Sequence, residues 1–161
     1  SKSVGGGIPL GITLANKSIQ DWPPGSQSNT FGGNLVACAA GIATLEYMKK
    51  QKVGENAVKI GNYIKKRLLE MQDKYELIGD IRGIGLMIGI ELVKNRKTKE
   101  YAKKERDKIL NSCYQKGLIL LQAGTSVIRI SPPLIITKNQ ADKGLNILEQ
   151  SIKEVTIKRW G

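Results

Sequence analysis

The chain has 161 residues, 26 Lys and Arg against 14 Asp and Glu, a formal net charge of +12 and no histidine. That length suffices for a sizeable core, the apolar and charged fractions of 40% and 25% are those of a soluble globular chain, and no apolar run approaches the roughly eighteen residues that a membrane span needs. The missing histidine removes the Ser-His and Cys-His nucleophile pairs, and the isolated Cys38 and Cys113 have no metal-ligand spacing, so any chemistry falls to Lys, Asp/Glu, Tyr, Ser/Thr or a bound cofactor.

The chain opens on Ser1-Lys2-Ser3-Val4-Gly5-Gly6-Gly7-Ile8-Pro9-Leu10-Gly11, a lysine before a glycine run that closes on a Pro-Leu-Gly turn. Glycine permits positive φ and close approach. A lysine held in such a place away from water gives up its proton more readily and becomes a nucleophile or base. A flexible linker with a solvated lysine fits the same residues. Residues 11–16 predict a short strand, from the alternation of Ile12 and Leu14 with smaller residues. Residues 17–33 carry Pro23, Pro24, Gly25, Gly32 and Gly33, which exclude regular structure over most of the stretch. A loop this long is commonly functional or interfacial. Trp22 and Phe31 on it serve either as local anchors or as contacts for a partner subunit.

Asn34 is a good N-cap for a helix over about 35–50, and Gly54 marks a break before a second helix to about Lys74. The second helix has a stripe of Ala57, Ile60, Ile64, Leu68 and Met71 at spacings of three and four. Residues 78–85 lead into a central strand over 86–93. The G-x-G within them lacks the preceding strand and following helix of a dinucleotide fingerprint and is not read as one. A charged helix over about 99–116 stops at Gly117. Leu118 to Leu121 predicts a buried strand, Val127 to Ile130 a further one stopped by Pro132-Pro133, and residues 139–155 a last helix. The order from residue 52 onward is α, β, α, β, β, α, an α/β fold with helices against a small, mostly antiparallel sheet. Residues 1–50 lack the pattern of a separate core and read as the end of another domain. The lysines are spread over several helices and interleaved with Glu100, Glu105 and Asp107, a solvated face rather than a nucleic-acid groove. The two unpaired thiols suit a reducing, cytoplasmic setting.

Three stretches carry a resemblance. They are the opening lysine-glycine motif, the loop from Asp21-Trp22-Pro23-Pro24-Gly25 through Thr30-Phe31-Gly32-Gly33-Asn34, and Val127-Ile128-Arg129-Ile130-Ser131-Pro132-Pro133-Leu134-Ile135-Ile136-Thr137. In this order and spacing the chain resembles the C-terminal part of class III, fold-type I, pyridoxal-phosphate-dependent aminotransferases, nearest to the 4-aminobutyrate and acetylornithine group. Arg82-Gly83-Ile84-Gly85-Leu86-Met87 is similar to a small-domain feature of that family. The resemblance implies that residues 1–50 are the C-terminal remnant of the large cofactor domain and 51–161 the small domain. It implies that Lys2 bonds the aldehyde of pyridoxal 5′-phosphate and then moves a proton at the substrate, that Thr30 holds the cofactor phosphate of a neighbouring subunit, and that Arg129 clamps a substrate carboxylate. Arg82 is expected to tie the small domain together.

The implied reaction moves an amino group from an amino acid or a 4-aminobutyrate-like ω-amino acid to a 2-oxo acid, in a homodimer formed through residues 17–50. An amino-acid racemase of the same family and a non-catalytic dimerising α/β domain are the alternatives. Leu35 stands where the family commonly has proline, which a helix start tolerates. The residues that cup the phosphate, stack on the ring and pair with its nitrogen precede the lysine in the family and are not among these 161. The expectation is therefore a fragment that is inactive alone.

Overall fold

The computed structural model describes residues 2–157, which divide into two compact units at Lys52/Val53. Ser1 of the opening motif lies outside the described residues.

In the first unit a 3-10 turn over Lys2–Gly5 is followed by irregular chain and then by helix α1, Leu35–Lys50. Asn34 caps α1: its Oδ1 accepts a hydrogen bond from the Ala37 amide at 3.1 Å. Residues 11–16 form no strand, contrary to the alternation of Ile12 and Leu14. Period-two patterning needs a neighbouring strand to become a ladder, and the first unit has none among its described residues. Ala37 and Gly41 are the buried residues of α1, so this unit encloses little core of its own.

The second unit begins with α2, Val53–Lys74. Gly54 lies in its first turn and is not a break. Strands β1 (Ile78–Ile84) and β2 (Met87–Asn95) form an antiparallel hairpin. The expectation of one strand led in by glycines is corrected here: residues 78–84 are themselves a strand, in which Gly79 sits at a register shift between Ile78 and Asp80 and Gly83 pairs with Ile88. The two-residue β3, Glu100–Tyr101, pairs with the end of β2. Helix α3, Lys103–Gln115, follows. It stops at Gly117, φ +82°, where the Leu118 amide donates to Cys113 O at 2.9 Å and the Gly117 amide to Tyr114 O at 3.0 Å, the paired bonds of a Schellman motif. Strands β4 (Leu121–Ala123) and β5 (Val127–Ile130) and helix α4 (Lys138–Ile157) complete the unit. The buried strand expected over Leu118 to Leu121 is displaced: residues 118–120 are irregular, β4 starts at Leu121, and Ile119 is 74% exposed.

The sheet order is β1-β2-β5-β4, antiparallel throughout, with β3 on the end of β2. One sheet face presents Ile88, Ile90, Leu92, Ile128 and Ile130 to Ile60, Ile64, Leu68 and Met71 of α2, Ile109 and Cys113 of α3, and Leu145, Leu148 and Ile152 of α4. Gly61 is where α2 meets the hairpin. A Cβ there would lie 2.1 Å from the carbonyl oxygen of Gly85, so only glycine lets the helix come this close. The opposite sheet face is open.

Candidate active site

The first unit carries Lys2 and Thr30. Lys2 lies in the opening 3-10 turn with φ +59°, and Gly6 and Gly7 after it take φ +60° and +114°. Hydrogen bonds from the Gly6 amide to Ser3 O and from the Ile8 amide to Gly5 O, both 3.0 Å, fold the run into consecutive tight turns. The run needs its glycines for proximity as well as for φ: a Cβ on Gly6 would come within 2.9 Å of Thr44 Oγ1 of α1. The Lys2 side chain is exposed and has no hydrogen bond or ion pair among the described residues. The poorly solvated lysine considered for this motif is thus not what the turn by itself creates. Thr30 is exposed in a turn just upstream of the α1 N-cap, beside Phe31, which is 80% exposed. No hydrogen bond joins Thr30 to Lys2.

The second unit carries Arg129 at the middle of β5. The strand alternates: Ile128 and Ile130 are buried, while Val127 and Arg129 face the open side of the sheet. The alternation explains how a guanidinium can sit in an apolar strand without cost, since period-two geometry delivers it to water. Being flanked by β2 and β4, the strand is not an edge. Among the described residues Arg129 has neither a hydrogen bond nor an ion pair. It borders a cleft of about 270 Å³ between the β4 side of the sheet and α4, whose other walls are mainly apolar, including Leu118, Leu121, Pro132, Leu145 and Leu148. Arg129 is thus a lining residue of this largely apolar cleft, while the strand's alternation turns its side chain to the open face.

Arg82, on β1, is engaged instead of free. Its Nη1 donates to Asp80 Oδ2 at 2.7 Å and to Glu91 Oε2 at 2.6 Å, and these hydrogen bonds raise the guanidinium pKa above its ordinary value.

One residue of structural weight was hidden in the sequence. Arg106 sits in the charged run that reads as a solvated helix face, yet its side chain is 2% exposed. Its Nε and Nη2 donate to Asp107 Oδ1 at 2.9 and 2.7 Å, and Nη1 donates to Thr125 O at 3.0 Å and Gly124 O at 3.4 Å. Those carbonyls belong to the turn between β4 and β5, so Arg106 fixes the strand that bears Arg129. Only its place three residues before the apolar Ile109, on the same helix face, hinted at an inward direction. Among the described residues no cluster of three or more His, Cys, Asp or Glu could hold a metal ion, and no helix is long and apolar enough to cross a membrane.

Comparison with known proteins adds to this geometry. Residues 1–152 match the family described as aminotransferase class-III. The leucine/methionine racemase of Thermococcus litoralis is 43% identical over 162 residues, covering 100% of this chain and 37% of the racemase. The acetylornithine aminotransferase of Clostridium acetobutylicum is 39% identical over 155 residues, covering 95% of this chain and 38% of that enzyme. The crystal structure of acetylornithine aminotransferase from Elizabethkingia anophelis superimposes with a TM-score of 0.75 at 32% identity, over 88% of this chain and 36% of that one. The chain spans 37% and 38% of the length of the two curated relatives named.

Proposed function

The chain belongs to the class-III aminotransferases, and from that premise we propose that it forms part of a pyridoxal-phosphate-dependent enzyme that moves an amino group from an amino acid or a 4-aminobutyrate-like ω-amino acid to a 2-oxo acid. The observation that carries the reading is the family match over residues 1–152. In this reading Lys2–Gly5 and α1 are the end of the cofactor domain, and Val53 onward is the small domain.

The donor set suits the cofactor. Lys2 offers a primary amine on an exposed turn, the group that bonds an aldehyde. Thr30 offers a hydroxyl ahead of a helix N-terminus, a favourable place for a phosphate. When bound, pyridoxal phosphate supplies an electron sink for the charge left at substrate Cα. Arg129 holds the substrate carboxylate through two parallel hydrogen bonds, and having no partner within the described chain it need break none to do so. Lys2 Nζ takes the proton from Cα.

A racemase is the second reading, favoured by the 43% identity to the Thermococcus litoralis enzyme. The two reactions share the removal of the Cα proton and differ in its return. In a polypeptide of the relatives' full length, keto acid formed only with a 2-oxo acid acceptor, and abolished by Lys2→Ala, supports amino transfer. Loss of optical activity without keto acid supports racemisation. Neither activity overturns both.

The 161-residue chain alone, spanning 37% of a relative such as the racemase, is expected neither to retain the cofactor through gel filtration nor to transfer amino groups. Retention that Lys2→Ala abolishes would overturn that expectation. Phe31 and Leu35, 80% and 85% exposed, support a homodimer through residues 17–50. Sedimentation as a monomer at high concentration would refute it. A cytoplasmic location is part of the same reading.

A further inference from the structure

The open face of the sheet has a register with a direct consequence for Arg129. Gly89 of β2 pairs with Arg82 of β1 on one side and with Arg129 of β5 on the other. Two residues along the same strand, Glu91 pairs with Asp80 on the β1 side and with Val127 on the β5 side. Residues in register share a face, so Arg82, Arg129, Asp80 and Glu91 all lie on the open side. Glu91 is therefore the diagonal neighbour of both arginines. Diagonal positions lie roughly 7–8 Å apart, within reach of long side chains. Gly89, between the two arginines, carries no side chain itself, and Val127 leans toward it with Cγ1 3.2 Å from where a Cβ would stand.

Of its two diagonal arginines Glu91 bonds one: Arg82 Nη1 at 2.6 Å, while Arg129 has no partner among the described residues. Asp80 explains the choice. It faces Glu91 directly across the strands, and like charges in that position repel. Arg82 Nη1 donates to both carboxylates, at 2.7 and 2.6 Å, and relieves the repulsion. Arg129, in register with Leu121 on its far side, has no carboxylate opposite it to share.

We propose that Arg82 is a positioning residue that holds Glu91 away from Arg129, and so keeps the Arg129 guanidinium open to an external carboxylate. The proposal rests on the reading of Arg129 as the carboxylate clamp. Without Arg82, Glu91 swings across Gly89 and pairs with Arg129, which turns an open site into a self-occupied one.

The test reads arginine Nε–H signals of the ¹⁵N-labelled chain by NMR during titration with propionate, the Arg129 signal being identified by its loss in Arg129→Lys. In the unsubstituted chain the Arg129 signal should move with propionate. In Arg82→Met it should already be shifted without ligand, and propionate should bind roughly two- to fivefold more weakly, the scale of a partly exposed ion pair in competition. Arg82→Met/Glu91→Gln should return both the resting signal and the affinity to their starting values, which a merely structural role for Arg82 would not produce. Arg82→Gln gives a milder route to the same shift should Arg82→Met lose its dispersed spectrum. An unshifted Arg129 signal with unchanged affinity in the Arg82 variants, or no rescue by Glu91→Gln, overturns the proposal. If the signal ignores propionate in the unsubstituted chain but still shifts in Arg82→Met and recovers in the double variant, the positioning stands and the clamp reading fails.

Discussion

Arg106 shows how one side chain can set the geometry of another it does not touch. Its guanidinium is buried and satisfied by Asp107 and by the carbonyls of Gly124 and Thr125. Removing it takes a donor from the Gly124 and Thr125 carbonyls of an exposed turn and a charged partner from Asp107, and hydrogen bonds made by a charged group are worth about 1.5–3 kcal/mol. Arg106→Met should therefore lower stability by about 1–3 kcal/mol in urea unfolding. Amide exchange should speed up first at Ser126 and Val127, next to the released turn. Asp107→Asn, at an exposed partner, should cost much less. The residue was illegible in sequence for a physical reason. In a helix rich in Lys and Glu every charge satisfies the pattern of i,i+4 pairing, and nothing in the pattern distinguishes a guanidinium aimed at backbone carbonyls from one aimed at water. Arg129 was legible because a charge among Val127, Ile128 and Ile130 breaks its strand's pattern.

At the level of elements, glycine works against its usual ranking in α2. In a helix interior alanine ordinarily stabilises over glycine by about 1 kcal/mol. At Gly61 a Cβ meets the Gly85 backbone at 2.1 Å, so Gly61→Ala should instead destabilise by roughly 1–3 kcal/mol, as overpacking does. Thermal melting of the variant checks the sign.

The helices α2 and α4 are also joined by a polar seam. Tyr63 donates its hydroxyl to Asp142, Arg67 Nη1 reaches Asp142 Oδ1 at 3.1 Å, and Lys138 Nζ reaches Oδ2 at 2.9 Å. The Tyr63 and Lys138 hydrogen bonds hold the Asp142 carboxyl below its ordinary range. A carboxyl depressed by folding contributes in full above its unfolded value and loses that contribution as pH falls through the folded one. The seam should thus weaken from about pH 4 downward, the ordinary aspartate range. Asp142→Asn should flatten that acid limb in melting curves taken against pH. The boundaries of α1 and β5 could be read from Asn34 and from Pro132-Pro133, because caps and prolines act locally. The start of β4 could not: four consecutive apolar residues, Leu118 to Leu121, fit any register, and only the Schellman turn after α3 decides where the chain can straighten.

For the molecule as a whole, the two units differ in how much apolar surface each encloses. The second holds the contiguous core of α2, α3, α4 and the sheet, while the first buries little beyond Gly5, Ala37 and Gly41. Local opening follows enclosed contacts. Limited proteolysis should therefore cut first within residues 11–34 and spare the chain from Val53 onward, with mass spectrometry of the products as the readout. Cleavage first within 78–130 would contradict this.

The division has a practical consequence through the cysteines. Cys38 lies part-buried in α1, and Cys113 lies fully buried in α3, where burial pushes its thiol pKa up. Each unit therefore contains a single thiol, with a different degree of shielding. A thiol-alkylating reagent becomes a two-channel clock: modification of Cys38 times events in the first unit, and modification of Cys113 times the opening of the second. The two rates, followed through a denaturant series in one sample, would tell whether the units melt together or in succession.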